Sequence, residues 1–164
     1  MLNLLQECSG AKVIGITGHV RPDGDCVGSC MALYMYLHKV MPEADITVYL
    51  EESAKSYYHI KHLQVIDSSF QAKDKYDVFF CLDSMPDRVG QGEALYESAA
   101  KKINIDHHIT NSGCGDVNYE VNNLMYYENL FNERLLYHRE NKKNGSLYFK
   151  LIIGLGALMI IILI

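Results

Sequence analysis

The chain has 164 residues, 49% of them apolar and 21% charged, which is ordinary for a globular protein with one domain and a real core. Its net charge is −5 and no run is rich in Lys or Arg, which argues against a protein that grips long nucleic acid mainly through charge. A small anionic substrate held through metal ions is still compatible with that balance.

Five cysteines (Cys8, Cys26, Cys30, Cys81 and Cys114) form no CxxC pair. They read as free thiols of a reducing compartment, with Cys26 and Cys30 close enough in sequence to share a helix face. The start, "MLNLLQECSG", has neither a basic segment nor a long apolar one, so no secretory signal is read and a cytoplasmic location is expected. "KVIGIT" (12–17) is a β-branched run and predicts a buried strand. From about Cys26 to Met41, apolar residues recur at helical spacing, and Pro42 marks the stop. "DITVYL" (45–50) predicts a second strand and "AKSYYHIKHL" (54–63) a short helix. "YDVFFCLD" (76–83) is a strong strand, apolar on both faces as a strand covered by helices on both sides must be. "GEALYESAAKK" (92–102) predicts a helix and "INID" (103–106) a strand.

This alternation of strand and helix predicts a three-layer α/β domain with a mostly parallel sheet. In such a sheet the strand C-terminal ends share one edge, and ligands sit beyond it. Three segments follow strand ends: His19–Asp25, Asp83, and Asp106–His108. In "GHVRPDGDCVGS" (18–29), Asp23 and Asp25 flank Gly24, which is expected to permit a backbone angle that a bulkier residue resists. His19 adds an imidazole. Carboxylates with imidazole and no thiolate suit Mn²⁺ or Mg²⁺, with Zn²⁺ or Fe²⁺ as alternatives. Gly28 and Ser29 are read as opening the following helix, whose free N–H groups would meet a phosphate oxygen. The plainer reading of each segment is a turn: Asp25 as a helix cap, Asp83 as a turn former, Asp106–His108 as loop residues. Taken together, the three segments bring too many carboxylates to one edge to stay ionised without divalent cations.

"GHVRPDGDCVGS", "CLDSMPDRVG" and "NIDHHITN" resemble the three N-terminal motifs of the DHH phosphoesterase superfamily. The Pro-Asp-Gly-Asp form and the "DHHITNxxxGDVNY"-like segment are most similar to the bifunctional oligoribonuclease and pAp (3′-phosphoadenosine 5′-phosphate) phosphatase group; family II inorganic pyrophosphatases usually carry Thr at the position of Gly24. The resemblance covers about residues 10 to 119. It implies two divalent cations, with manganese expected and magnesium or another divalent ion as alternatives. One ion falls to His19, Asp23 and Asp83, and the other to Asp25, Asp83 and His107, with Asp83 bridging. It also implies that Asp106 orients a histidine, that His108 contacts the scissile phosphate, and that the two ions activate a water for in-line attack. The implied substrates are short RNA or a nucleoside bisphosphate, and a homodimer is an expected assembly. Arg88 is expected in a surface ion pair, with a phosphate contact as the alternative. His38, His59, His62 and His138 fall outside the pattern. Tyr57, Tyr58, Tyr126 and Tyr127 are expected to pack rather than stack bases.

The chain departs from the family after about residue 119. No aspartate follows Asp116, so the fourth metal carboxylate has no counterpart, and the sequence shows no Gly-rich second domain. The expected organisation is a DHH N-terminal domain at 1–119, incomplete at its C-terminus, then a divergent segment at 120–146 and an apolar tail at 147–164. Loss of a later strand is expected to leave an inner strand as an exposed edge. Three readings of 120–164 compete. The favoured one is an out-of-frame or truncated translation, given its Asn/Tyr/Lys/Ile richness. The second is a membrane anchor facing the cytoplasm. "LIIGLGALMIIILI" (151–164) rises only about 21 Å as a helix against a core of about 30 Å, which residues 147–150 lengthen. The third is a packed core element. Weak or no activity is expected of this chain.

Overall fold

Successive side chains of a strand point to opposite faces, so a strand apolar at every position must be covered on both. The computed structural model, which describes residues 4–108 and 110–120, shows this at the centre of its sheet. Strand β1 (Val13–Thr17), strand β4 (Val78–Leu82) and strand β5 (Lys102–Asp106) lie side by side. On one face Ile14, Ile16, Val78, Phe80, Leu82, Ile103 and Ile105 form a core with Val27, Cys30, Met31 and Leu37 of helix α2 (Gly24–Val40). On the other, Phe79 and Cys81 pack with Tyr49, Tyr76 and Val89 and with Leu95 and Tyr96 of helix α3 (Gly92–Glu97). The result is three layers. A short helix α1 (Leu4–Glu7) precedes β1.

Among the described residues the sheet has six strands in the order β3-β2-β1-β4-β5-β6, with β2 at Asp45–Tyr49, β3 at Ile66–Asp67 and β6 at Val117–Glu120. Every neighbouring pair is parallel. All C-terminal ends therefore share one edge. From β1 the chain runs outward to β2 and β3, then returns to β4 on the other side of β1. Connections leave the ends of β1 and β4 in opposite directions, and that reversal opens a crevice.

Several expectations need correction. The segment 54–63 is not an α-helix. Two 3₁₀ turns, Glu52–Ser56 and Leu63–Val65, overlap its ends, and His62 between them has φ 66°. A left-handed residue stops helix propagation, and the segment buries only Ala54 in the first turn and nothing in the second, too little to offset helix nucleation. Helix α3 ends at Glu97 rather than at 102, because the Ala100 N–H bonds to the Tyr76 carbonyl (2.9 Å) and draws the chain into β5. Strand β6 pairs along β5 from Ile103↔Val117 to Asp106↔Glu120 and is the edge strand on that side among the described residues. This pairing is set by the turn before β6. Asp116 accepts a bond from the Lys102 N–H (2.8 Å), and a Cβ at Gly115 would lie 2.8 Å from the Lys102 carbonyl oxygen. The segments 121–146 and 147–164 lie outside the described residues, as do His138, Tyr126 and Tyr127. Among the described residues no helix is long and apolar enough to cross a membrane.

Gly15 in β1 makes room for the Phe79 ring of the neighbouring strand, since a Cβ there would stand 2.2 Å from Cε2. Phe79 is fully buried within an aromatic group with Tyr49, Tyr76 and Tyr96 and has nowhere to retreat. Gly15→Ala is therefore predicted to cost about 1–3 kcal/mol through overpacking, read as a lower urea midpoint with an unchanged slope.

Candidate metal centre

Three connections at the strand ends build the site. After β1, Gly18 lets the start of α2 approach, because a Cβ there would lie 2.3 Å from Cys26 Sγ. His19 engages the Val20 carbonyl through Nδ1 (2.9 Å), which turns its Nε2 to the crevice. Asp23 caps α2: its Oδ1 accepts from the N–H groups of Asp25 and Cys26, both at 3.0 Å. Asp25, which the plainer alternative makes the cap, is the second residue of the helix instead. Gly24 does not take the left-handed angle expected of it. That angle belongs to Arg21 (φ 52°), whose N–H is held by Glu51. Gly24 opens the helix, where a Cβ would stand 3.4 Å from the Tyr57 ring. Gly28 and Ser29 lie in the second turn, where backbone N–H groups bond to carbonyls one turn earlier, so they offer no free N–H to a phosphate, and Ser29 Oγ bonds back to the Asp25 carbonyl (2.7 Å).

Asp83 follows β4 with φ 54°, a conformation aspartate tolerates better than most residues. Its side chain is 3% exposed. Oδ2 lies 3.7 Å from His19 Nε2, and Oδ1 lies 3.1 Å from His107 Nε2 and 3.8 Å from His108 Nδ1. None of these makes a well-aligned hydrogen bond to Oδ1, which is buried without a partner. Burial, reinforced by the charge of Asp25, pushes the Asp83 carboxyl up to about 6. In its ionised form a carboxylate held this way is stabilised by a nearby cation.

The end of β5 supplies a braced histidine. Asp106 Oδ1 bonds His108 Nδ1 (2.7 Å) and accepts from the His107 and His108 N–H groups (2.8 and 3.2 Å). Its Oδ2 accepts from Asn111 Nδ2 (2.6 Å), which also bonds Asn104 Oδ1 (2.8 Å). Asn104 in turn donates to the Ser84 carbonyl (2.8 Å) beside Asp83. Burial opposes ionisation of Asp106, yet the bonds from Asn111 and His108 hold its carboxyl below the usual range. Thus Asp106 is satisfied by protein groups, whereas Asp83 is not.

Four donors, Asp83, Asp106, His107 and His108, can be taken within 4.8 Å of one another, and so can His19, Cys26 and Asp83. Of the seven expected site residues, His19, Asp83, Asp106, His107 and His108 fall in these groups. Asp23 and Asp25 stand at the margin, 3.7 Å from His19 Nε2 and 3.9 Å from His107 Nε2. Sequence reading missed Cys26, Asn104 and Asn111. The Cys26 thiol is drawn down to about 7, first by a hydrogen bond with the free Cys30 thiol and then by His19, and His19 is raised to about 9 chiefly by Cys26. The orphaned Asp83 oxygen and the imidazoles around it fit a divalent cation.

The other sequence candidates stay apart from this cluster. His38 stacks on Tyr34, and His59 and His62 are exposed. Arg88 is exposed and forms no ion pair with a described carboxylate, while its carbonyl accepts from the Val20 N–H (2.8 Å). Tyr57 packs against the α2-side core, and Tyr58 is 89% exposed.

Residues 13–130 match the DHH family, N-terminal domain. The fold is similar to that of an exopolyphosphatase-related protein from Bacteroides fragilis, with 24% sequence identity and a TM-score of 0.56. The similarity covers 70% of this chain and 36% of that one, so the chain spans little more than a third of that protein's length. No curated protein matches the chain.

Asp83→Asn removes a buried charge that the metal-free fold disfavours. Metal-free protein carrying it is predicted to melt above the parent at pH 8, by about 2–4 °C per kcal/mol of relief. The parent should gain stability on adding Mn²⁺, about 2.7 kcal/mol at a hundred times Kd, and the variant should not. Thermal unfolding with and without the ion measures both effects.

Proposed function

The chain belongs to the DHH family, and from that membership and the geometry of its sheet edge we propose that it carries the metal-binding half of a phosphoesterase for short oligoribonucleotides or pAp. The observation that carries the reading is Asp83, buried without a hydrogen bond to Oδ1 among three histidines. His19, Asp83 and His107 hold the cations, with Asp23 and Asp25 closing on them from the start of α2. Two bound divalent ions supply Lewis-acid activation of water and a clamp on phosphate oxygens. The protein's own part is positional. Asp106 fixes the His108 ring through Nδ1, leaving Nε2 of this half-exposed side chain to meet a phosphate oxygen. The Asn104–Asn111 bridge keeps Asp106 from turning away.

Residues 117–164 hold no aspartate, and a cation short of one carboxylate is held and aligned less well, so slow turnover is expected of these 164 residues assayed by themselves. The same observation favours a second reading, a non-catalytic module that keeps a metal- and phosphate-binding half-site. The fold relative's description as exopolyphosphatase-related adds inorganic polyphosphate as a third substrate to test.

Purified protein with Mn²⁺ and pAp, a diribonucleotide or polyphosphate separates these outcomes. The proposal predicts slow Mn²⁺-dependent hydrolysis of pAp or the dinucleotide, at least about 100-fold below a complete family member and abolished by Asp83→Ala. Mn²⁺ binding without turnover on any substrate supports the non-catalytic reading. Turnover equal to that of a complete member contradicts the impairment, and hydrolysis that survives Asp83→Ala contradicts the site.

A further inference from the structure

Cys26 stands within the donor cluster, not behind it. It is fully buried in the first turn of α2, and Gly18 leaves the space its sulfur fills. Its Sγ and one donor atom each from His19 and Asp83 all lie within 4.8 Å of one another. Asp23, the carboxylate expected beside His19, is otherwise engaged: its Oδ1 caps the helix, and its side chain is 65% exposed. His19 Nε2 and Asp83 Oδ2 are 3.7 Å apart. Two donors each about 2.1 Å from a tetrahedral ion would be about 3.4 Å apart. A small closing movement brings the His19 and Asp83 donors to that spacing, and the Cys26 sulfur lies within 4.8 Å of a donor atom of each. The independent sign that a cation belongs at Asp83 is its Oδ1, the carboxylate's other oxygen, buried without a partner on the side of His107 and His108.

We propose that Cys26 supplies a thiolate ligand to the cation held by His19 and Asp83, so that this position selects a thiophilic divalent ion of the Zn²⁺ or Fe²⁺ class over Mn²⁺ or Mg²⁺. The inference rests on the metal-centre reading above. Thiolate with imidazole and carboxylate is a borderline-soft donor set, whereas Mg²⁺ and Mn²⁺ prefer oxygen. Binding forms a sulfur–metal bond and releases the thiol proton to solvent, with no change of oxidation state. Cys30 is the internal control. It is also fully buried on α2 but does not join the His19–Asp83 group.

The test is titration of the metal-free full chain with Co²⁺, followed by electronic absorption. Visible d–d bands report cobalt in the site, and a near-ultraviolet thiolate-to-cobalt charge-transfer band reports sulfur ligation. The proposal expects both in the parent. Cys26→Ser should lose the charge-transfer band and keep the d–d bands, with Zn²⁺ affinity falling about tenfold or more and Mn²⁺ affinity little changed. Cys30→Ser should keep both bands. Cys26→Ala, with circular dichroism matching the parent, guards against a folding defect in the serine variant. Visible bands in the parent without the charge-transfer band, or that band surviving Cys26→Ser, overturn thiolate ligation and leave the metal centre standing. No cobalt binding overturns both.

Discussion

The carboxylate of Asp83 is buried at the mouth of the crevice between β1 and β4 with one oxygen unpartnered, and the surrounding edge is arranged around that unpaired charge. Three imidazoles face it and another carboxylate, Asp25, raises its proton affinity. Leaving such a group unpaired is costly in a folded interior, and protein donors could have satisfied it as they satisfy Asp106 a few ångströms away. The contrast between these two buried aspartates separates a position kept for a cation from a brace.

The fold produces this arrangement through topology. A parallel sheet sends every strand end to one edge, and the reversal of direction between β1 and β4 keeps their loops from closing over each other. His19, Asp83 and His107 come from three separate loops, yet each lies within two residues of a strand end. The rigid central strands, apolar on both faces, fix those ends in place. The Asn104–Asn111 bridge extends that rigidity to His108.

Much of this was legible in the chain itself. The runs at 12–17, 76–83 and 103–106 announce buried strands because they are apolar or β-branched throughout, and their ends place the ligand-bearing loops. What could not be read depended on contacts between distant segments. Strand β6 has little intrinsic strand signal and is held by Asp116 and Gly115 against Lys102. Asp23 serves as a helix cap because the helix starts earlier than its apolar period suggests. Asn104 in a strand and Asn111 in a loop carry no spacing that foretells their bond. Cys26 looked like one more apolar position on a helix face, and only the approach of Gly18 turns it toward His19 and Asp83.

Anomalous diffraction from crystals grown with Mn²⁺, recorded at the manganese edge, tests the central claim most directly. A peak within ligand distance of the Asp83 carboxylate, on its His107 side, is the predicted result. An Asp83 side chain hydrogen-bonded to protein groups or turned to solvent, with no anomalous peak beside it, would contradict the account.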